Sequence, residues 1–241
     1  MRKDREMRGR TIQTVSMSVS RPPERGARLG FLVAAALLIT ALAGCVTTGP
    51  VKPSPAVEAP AAVQKVSVTR LTDGREGFVI KEHVRMDAAA RADFQRAVAL
   101  LNEGEDARAI ELLEKVIQRS PRVTAPYIDL ALAYERIGKL EKAEANLKTA
   151  LGLVPDHPLA CNAYGLLCRK AGRFDEARAT YEKAIAHFPE YYPVHRNLGI
   201  LCDLYLNDGA CAMEHYEIYS KANPEDKKVR MWIADLQNRL N

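Results

Sequence analysis

Hydrophobic positions follow helical spacing from about residue 90 to the end of the chain, with short polar turns between them. Residues 124–157 show the pattern most clearly, as two apolar faces separated by a turn and followed by a proline. The first face consists of Tyr127, Leu130, Ala131 and Tyr134, and the second of Ala143, Leu147 and Ala150, before Pro155. This segment is therefore predicted to be a pair of amphipathic helices.

The same pattern recurs with a period of 34 residues. Residues at this interval are Gly104, Gly138 and Gly172; Ala109, Ala143 and Ala177; and Pro121, Pro155 and Pro189. Small and turn-forming residues at these offsets resemble the tetratricopeptide repeat, a family of stacked helical hairpins. The resemblance implies an all-α solenoid over residues 87–226, with four units at 90–123, 124–157, 158–191 and 192–226. An amphipathic helix over 227–241 is expected to cap its open end.

The fourth unit has an irregular turn. Leu206 stands where the other units have glycine, and the later residues of the pattern arrive one position late, so one residue has been inserted. Cys202 and Cys211 flank this turn on helices that are expected to face each other. A disulfide between them and a pair of buried thiols are equally compatible with the sequence. Cys161 and Cys168 lie about 10 Å apart along one predicted helix, too far for a disulfide, and are expected to be core thiols.

Residues 1–44 have the features of an export signal, with an arginine-rich start and an apolar run from Phe31 to Ala43. A helix of this length rises only about 20 Å, less than the roughly 30 Å of a bilayer core, so a permanent membrane span is not favoured. Met1 and Met17 are both possible start residues. The segment Leu42-Ala43-Gly44-Cys45 resembles the lipobox of bacterial lipoproteins, which implies that Cys45 is lipidated and becomes the first residue of the mature chain. By the same resemblance, Val46 after this cysteine favours the outer membrane over the inner membrane.

Charge is divided unevenly along the chain. Residues 1–44 contain eight basic and three acidic residues, whereas the rest of the chain contains 27 of each. The formal net charge of +5 and the pI near 8.9 therefore belong to the leader. Nucleic-acid binding by the folded part loses its main support, and no nucleic-acid partner is predicted.

Two segments separate the leader from the repeats. Residues 45–65 are rich in proline and are predicted to form a tether after the lipidated cysteine. Residues 66–86 contain two short β-prone runs around Asp73-Gly74 and are predicted to be an extended arm or short strands.

Enzyme motifs are absent from the sequence. It contains no phosphate-binding loop, no dinucleotide-binding glycine pattern, no zinc-protease motif and no nucleophile elbow. The five histidines lack metal-ligand spacing and are expected on the surface or in a groove. We therefore predict a protein that is not an enzyme, with no catalytic residue, no metal and no cofactor.

The family resemblance implies that the first helix of each unit lines a groove for a peptide or helix of another protein. The residues that we select as the peptide-binding groove are Leu132, Arg136, Asn162, Leu166, Arg169, Lys170, Arg196 and Ile200. Neighbouring offsets on the same wall hold Ala125, Ile128, Glu135, Leu159, Asp203 and Leu204. The four cations are candidates for receiving an acidic or carboxylate segment, although they are equally compatible with a solvated surface. The family's carboxylate clamp is matched only in part, at Asn162 and Arg196.

These observations predict a periplasmic scaffold or assembly factor that is lipid-anchored in the outer membrane and binds protein partners. Its plan is similar to that of TadD-like and pilotin-type lipoproteins, which implies a role in pilus, secretion or envelope machinery. The alternative is an accessory subunit of an envelope enzyme, or an enzyme with an unrecognised site. Self-association through the groove or the last helix is a third possibility.

Overall fold

The computed structural model describes residues 12–15, 66–71, 77–82 and 84–240. The three strands are β1 (Ile12–Val15), β2 (Val66–Arg70) and β3 (Phe78–Glu82). The helices are α1 (Ala88–Glu103), α2 (Asp106–Arg119), α3 (Thr124–Arg136), α4 (Leu140–Leu153), α5 (Pro158–Lys170), α6 (Phe174–His187), α7 (Tyr192–Leu204), α8 (Gly209–Ala222) and α9 (Lys227–Leu240). All of these elements belong to one compact unit. Among the described helices, none has both the length and the apolar character that a membrane span requires.

Helices α1 to α8 form four antiparallel hairpins, and α9 packs against α8. The second helix of each hairpin contacts the first helix of the next, and successive first helices also contact one another. This arrangement confirms the predicted solenoid of four repeats with a C-terminal capping helix.

Close packing within a hairpin depends on small residues in its first helix. At Gly199 an added Cβ would lie 2.6 Å from the ring of Tyr216 on the facing helix, and at Gly165 it would overlap the ring of Tyr181. The corresponding residues of the first two hairpins are the buried Ala97 and Ala131. The small side chains allow the two helices to approach, and the aromatic rings fill the space between them.

The turns within the hairpins are of two kinds. Gly104, Gly138 and Gly172 have φ angles of 81°, 76° and 76°, a left-handed conformation that glycine adopts without steric cost. The fourth turn instead has Asn207 at φ 51° and a disulfide between Cys202 and Cys211, whose Cα atoms are 5.9 Å apart. Of the two alternatives for these cysteines, the structure contains the disulfide.

The strands form an antiparallel sheet in the order β1-β3-β2. The arm before the repeats is therefore a β-hairpin, which adds a small sheet to the helical stack. Its inner residues are buried, with Phe78 7% and Ile80 2% exposed.

This hairpin lies along the turns that connect one repeat to the next. The Phe78 ring packs edge-on against Tyr191, before α7, with ring centres 5.0 Å apart. Arg70 in β2 reaches the end of α8, where its guanidinium donates to the carbonyl oxygen of Ala222 at 2.7 Å. The hairpin thus contacts both ends of the fourth repeat.

Glu82 at the end of β3 anchors the hairpin to two helix N-termini. Its Oε2 accepts a hydrogen bond from the backbone N–H of Thr124 at 3.0 Å, and its Oε1 lies 3.4 Å from Nε2 of His157. His157 Nδ1 in turn accepts from the N–H of Ala160 at 3.2 Å, so the proton of the neutral ring sits on Nε2, the nitrogen nearer Glu82. One carboxylate therefore accepts a hydrogen bond from the first backbone N–H of α3 and also contacts the residue that caps α5.

Candidate functional site

The first helices α1, α3, α5 and α7 lie side by side and form one wall of the solenoid. One aliphatic residue occupies the same position in each of them, at intervals of 34 residues, and each is half-buried. These residues are Val98, Leu132, Leu166 and Ile200. We call this set the aliphatic stripe. Sequence reasoning selected the last three and missed Val98, although extending the 34-residue interval into the first unit would have found it.

The predicted groove cation on α3 is bound within the chain. The Arg136 guanidinium donates to the carbonyl oxygen of Leu101 at 3.0 Å and to Asp106 at 3.1 Å, both in the preceding repeat. One repeat further on, the ammonium of Lys170 pairs with Glu135. These side chains tie neighbouring repeats together.

Arg169 also contacts the next repeat. It donates to the carbonyl oxygen of Asn197 at 3.4 Å, and its guanidinium lies 5.9 Å from the ring centre of Tyr205. The side-chain amide of Asn197 donates to Asn162 at 2.8 Å. The structure thus brings the predicted residues Asn162 and Arg169 to the same inter-repeat contact.

Arg196 is directed toward the capping helix. Its guanidinium lies 5.2 Å from the ring centre of Trp232 in α9, and its Nε lies 3.7 Å from a carboxylate oxygen of Asp226. That Nε is buried without a hydrogen bond. Asp203, at a neighbouring groove offset, pairs with Arg239 of α9 at 2.6 Å and is similarly engaged. The capping helix therefore occupies the wall of the fourth repeat at these two positions.

Other residues of the wall differ in exposure. Ala125 and Ile128 are buried, and Ile128 packs with Ala150 and Ala160 rather than facing solvent. Leu159 is half-buried, whereas Leu204 is 66% exposed. The part of the wall that is both apolar and accessible is therefore the aliphatic stripe together with Leu159 and Leu204.

One titratable wall residue was not found from the sequence. Asp129 on α3 is half-buried, and burial raises the pKa of its carboxyl group to about 7, although the Arg136 charge acts in the opposite direction. A single aspartate on an amphipathic helix resembles any solvated carboxylate, so no sequence signal marked it.

Of the four histidines that the structure describes, two are buried, contrary to the expectation of surface or groove positions. His157 is 2% exposed and caps α5 as described above. His195 is 3% exposed; its Nε2 donates to the carbonyl oxygen of Pro189 at 3.0 Å, and its Nδ1 lies 3.2 Å from Nδ1 of His215. Burial lowers the pKa of both His195 and His215. These contacts are structural, because each ring is held between elements of the stack.

Among the described residues, one group of potential metal ligands lies close together: Cys202, Asp208 and Cys211. Both sulfurs are in the disulfide, and Asp208 caps α8 by accepting from the N–H of Cys211 at 3.1 Å. The donor atoms are therefore engaged within the protein. The free thiols Cys161 and Cys168 are buried, and burial raises the pKa of both, that of Cys161 to about 12, which disfavours the reactive thiolate form.

The proposed lipidation residue Cys45 and the tether over 46–65 lie outside the described residues. The same holds for the leader apart from β1, and for His83.

Comparison with known proteins identifies the repeats. Two tetratricopeptide repeat models match the chain, one over residues 91–122 and the other over 128–192. Among solved structures, PilF from Pseudomonas aeruginosa is 24% identical with a TM-score of 0.59, and the match covers 63% of this chain and 68% of that one. MamA from Desulfovibrio magneticus RS-1 is 19% identical with a TM-score of 0.56, covering 64% of this chain and 87% of that one. A thermophilic tetratricopeptide repeat protein from Thermus thermophilus is 25% identical with a TM-score of 0.53, covering 61% and 81%.

Proposed function

Because this chain is a tetratricopeptide-repeat protein, we propose that it is a scaffold that binds a segment of another protein along the wall of its first helices. The observation that carries this proposal is the aliphatic stripe, one half-buried side chain in each of four successive repeats. A row of partly exposed aliphatic groups across adjacent helices suits the apolar face of an amphipathic helix or extended peptide.

The charges of the wall favour apolar contacts as the main source of affinity. Arg136, Lys170 and Arg196 each have an acidic partner within the chain, and Arg169 is bound to a backbone carbonyl. An acidic ligand would have to displace these partners, which reduces what each new ion pair adds. Binding of a carboxylate by Arg169 and Arg196 is the second version of the same proposal, and it is tested separately below.

We further propose that the protein works at the periplasmic face of the outer membrane as an assembly factor for pilus, secretion or other envelope machinery. The lipobox-like segment ending at Cys45 supports this location, and two or three acyl chains are enough for stable anchoring in a membrane. The structural similarity to PilF agrees with this plan at the level of the fold. In this proposal the chain itself catalyses no reaction.

The groove is tested with Leu166→Asp, which places a charge in the middle of the aliphatic stripe. The matched control is Ala179→Asp, on an exposed position of α6. Proteins that crosslink to the mature wild-type chain in isolated membranes are quantified for each variant. We expect recovery to fall about tenfold or more for Leu166→Asp, as for a loss of about 1.4 kcal/mol of binding free energy, and to stay unchanged for the control. Equal recovery from both variants would rule out the stripe as the binding surface.

The charge-based version and the anchor have their own variants. Arg169→Glu combined with Arg196→Glu reduces partner recovery if these cations receive a carboxylate, and unchanged recovery contradicts that version.

Cys45→Ala is expected to release the protein from the membrane fraction while its helical circular dichroism signal persists. Continued sedimentation with membranes would contradict the anchor.

A further inference from the structure

The central strand of the sheet has a partner on each side, and one of these partners comes from the leader. β3 pairs with β2 from the arm on one edge and with β1 on the other, both antiparallel. In the second pairing Val15 is opposite Val79 and Ile12 is opposite Glu82. Strand β1 lies 30 residues before Cys45, well inside the predicted export signal.

Processing would therefore remove one edge of the sheet. Cleavage before Cys45 leaves a chain without residues 12–15, whether translation begins at Met1 or at Met17. The backbone N–H and C=O groups of β3 that β1 had paired would then be unpaired. Val79 and Ile80, which are buried in the three-stranded sheet, would lie beside this open edge.

The open edge would keep its strand conformation, because β3 is held by contacts that do not involve β1. β2 pairs with it over five residues, from Val66 opposite Glu82 to Arg70 opposite Phe78. On its inner face, Phe78 packs against Tyr191, and Glu82 is bound to Thr124 and His157. A strand held in this way is preorganised, so a ligand that pairs with it does not have to order it first.

We propose that the edge of β3 from Val79 to Glu82 is a second docking site in the mature protein, at which an extended segment of a partner protein adds as an antiparallel strand. The mode is β-strand addition, in which backbone hydrogen bonds provide affinity and side chains provide selectivity. Proline is excluded from the paired positions of the partner because it cannot donate to the ladder. Lys81 is exposed and lies opposite Gln13 in the pairing that the structure shows, so an acidic residue is favoured at that position of the partner.

This site is distinct from the aliphatic stripe, which lies on the first helices. The inference depends on removal of the leader but not on groove binding. The two sites would allow one scaffold to hold two segments, and loss of either leaves the other in place.

The test compares the processed protein with the unprocessed chain. The mature form is purified from membranes in detergent, with its start at Cys45 verified by intact mass, and the full chain from Met1 is the matched control. The probe is a fluorescent peptide of residues 8–18, which contains the β1 sequence. We expect the peptide to bind the mature form at least tenfold more tightly than the full chain, whose own β1 covers the edge. Thr14→Pro in the peptide is expected to abolish binding.

Register is tested through the position opposite Lys81. A peptide with Gln13→Glu is expected to bind the mature protein about two- to fivefold more tightly than one with Gln13→Lys, and Lys81→Glu in the protein is expected to reverse this order. Hydrogen exchange should be faster in the mature form than in the full chain at those Val79–Glu82 amides that face β1, and it should slow there when the peptide is added.

Three results would overturn the inference: retention of the leader in the membrane form, absence of peptide binding to the mature form, or equal exchange at Val79–Glu82 in both forms. None of them bears on Leu166→Asp, so failure of this site and failure of the groove are distinguishable.

Discussion

The two edges of the helical stack differ in how they are covered. At the edge where one repeat connects to the next, the turn residues are buried: Val123, Val154, His157 and Tyr191 are each at most 2% exposed. At the opposite edge, where the two helices of a hairpin connect, large apolar residues face solvent. These are Ile137, Leu140, Leu204 and Tyr205, with exposures from 41% to 66%.

The β-hairpin covers the first edge at two of these residues, His157 and Tyr191. It lies on the first edge and contacts the starts of α3, α5 and α7 and the end of α8. The other edge has three glycine turns and one disulfide-linked turn, and its side-chain contacts, such as Arg136 with Asp106, join neighbouring repeats. In a solenoid each repeat normally contacts only its neighbours, so a strap across several repeats couples units that would otherwise be independent. We therefore expect substitutions at the edge covered by the β-hairpin to destabilise the whole stack. Substitutions at the other edge should destabilise only the repeat that contains them.

The largest effect is expected for Phe78→Ala. It removes a buried aromatic ring and leaves a cavity beside Tyr191, so the free energy of unfolding should fall by about 3–5 kcal/mol. Tyr205→Ala changes a residue that is 47% exposed at the opposite edge of the stack, so it should lower the free energy of unfolding by less than about 1 kcal/mol. Urea unfolding followed by circular dichroism measures both. Similar small losses would mean that the hairpin detaches without affecting the repeats.

Glu82→Ala should follow, with a loss of about 2–3 kcal/mol. The buried N–H of Thr124 would lose its acceptor, and the buried His157 ring would lose the carboxylate oxygen that lies 3.4 Å from its Nε2. Glu82→Gln should recover part of the loss, because its amide oxygen can still accept the hydrogen bond from the Thr124 N–H. The control is Glu105→Ala at the opposite edge of the stack. The exposed ion pair of Glu105 with Arg108 contributes less than about 0.5 kcal/mol to the free energy of unfolding. A difference of less than about 1 kcal/mol between Glu82→Ala and this control would contradict the anchoring role.

Reduction of the Cys202–Cys211 disulfide tests whether a change at the opposite edge of the stack stays local. Closing a loop with a sequence separation of 9 residues contributes about 2–3 kcal/mol in the chain-entropy description. Reductant should lower the stability of the wild type by this amount and leave the Cys202→Ala, Cys211→Ala variant unchanged. Hydrogen exchange should show the added opening mainly in α7 and α8. Equal opening in α1–α4 would show that this edge couples the repeats as strongly as the edge covered by the β-hairpin.

Acidification should produce the smallest effect, through the paired rings of His195 and His215. Burial lowers both pKa values below the ordinary 6.5, so below pH 6.5 the unfolded chain binds more protons than the folded one. The contribution of these two histidines to stability is therefore complete above pH 6.5 and declines as the pH falls from 6.5 toward the folded-state values, by at most about 1.4 kcal/mol per pH unit for each histidine. Asp129, whose pKa burial raises to about 7, acts in the opposite direction over this range, so the histidine contribution is the difference in slope between the wild type and His215→Asn. Thermal unfolding between about pH 7 and pH 5 measures this slope. His215→Asn should flatten it, whereas His187→Gln, on an exposed position of α6, should not. A slope that is the same in all three proteins would assign the pH dependence to other groups.

The candidate site could be predicted from the sequence only in part. The interval of 34 residues selected Leu132, Leu166 and Ile200, because equivalent positions of a repeat face the same wall. The same reasoning placed Arg136, Lys170 and Arg196 on that wall, but it did not show that each has an acidic partner in an adjoining repeat or in the turn before the capping helix. Charges at helical spacing have the same pattern whether they face solvent or each other.

The sequence by itself determined the number and order of the helical hairpins and the position of the irregular fourth turn. These features depend on contacts within a repeat or between neighbours, which a periodic pattern of small, apolar and turn residues encodes directly. Tertiary structure alone decided where the arm packs, which cations are paired and which histidines are buried. Arg70 meets Ala222 across 152 residues, and Glu82 meets Thr124 across 42, and neither separation is a multiple of the repeat. Contacts of this kind depend on the three-dimensional placement of segments outside the repeat, so no local pattern announces them.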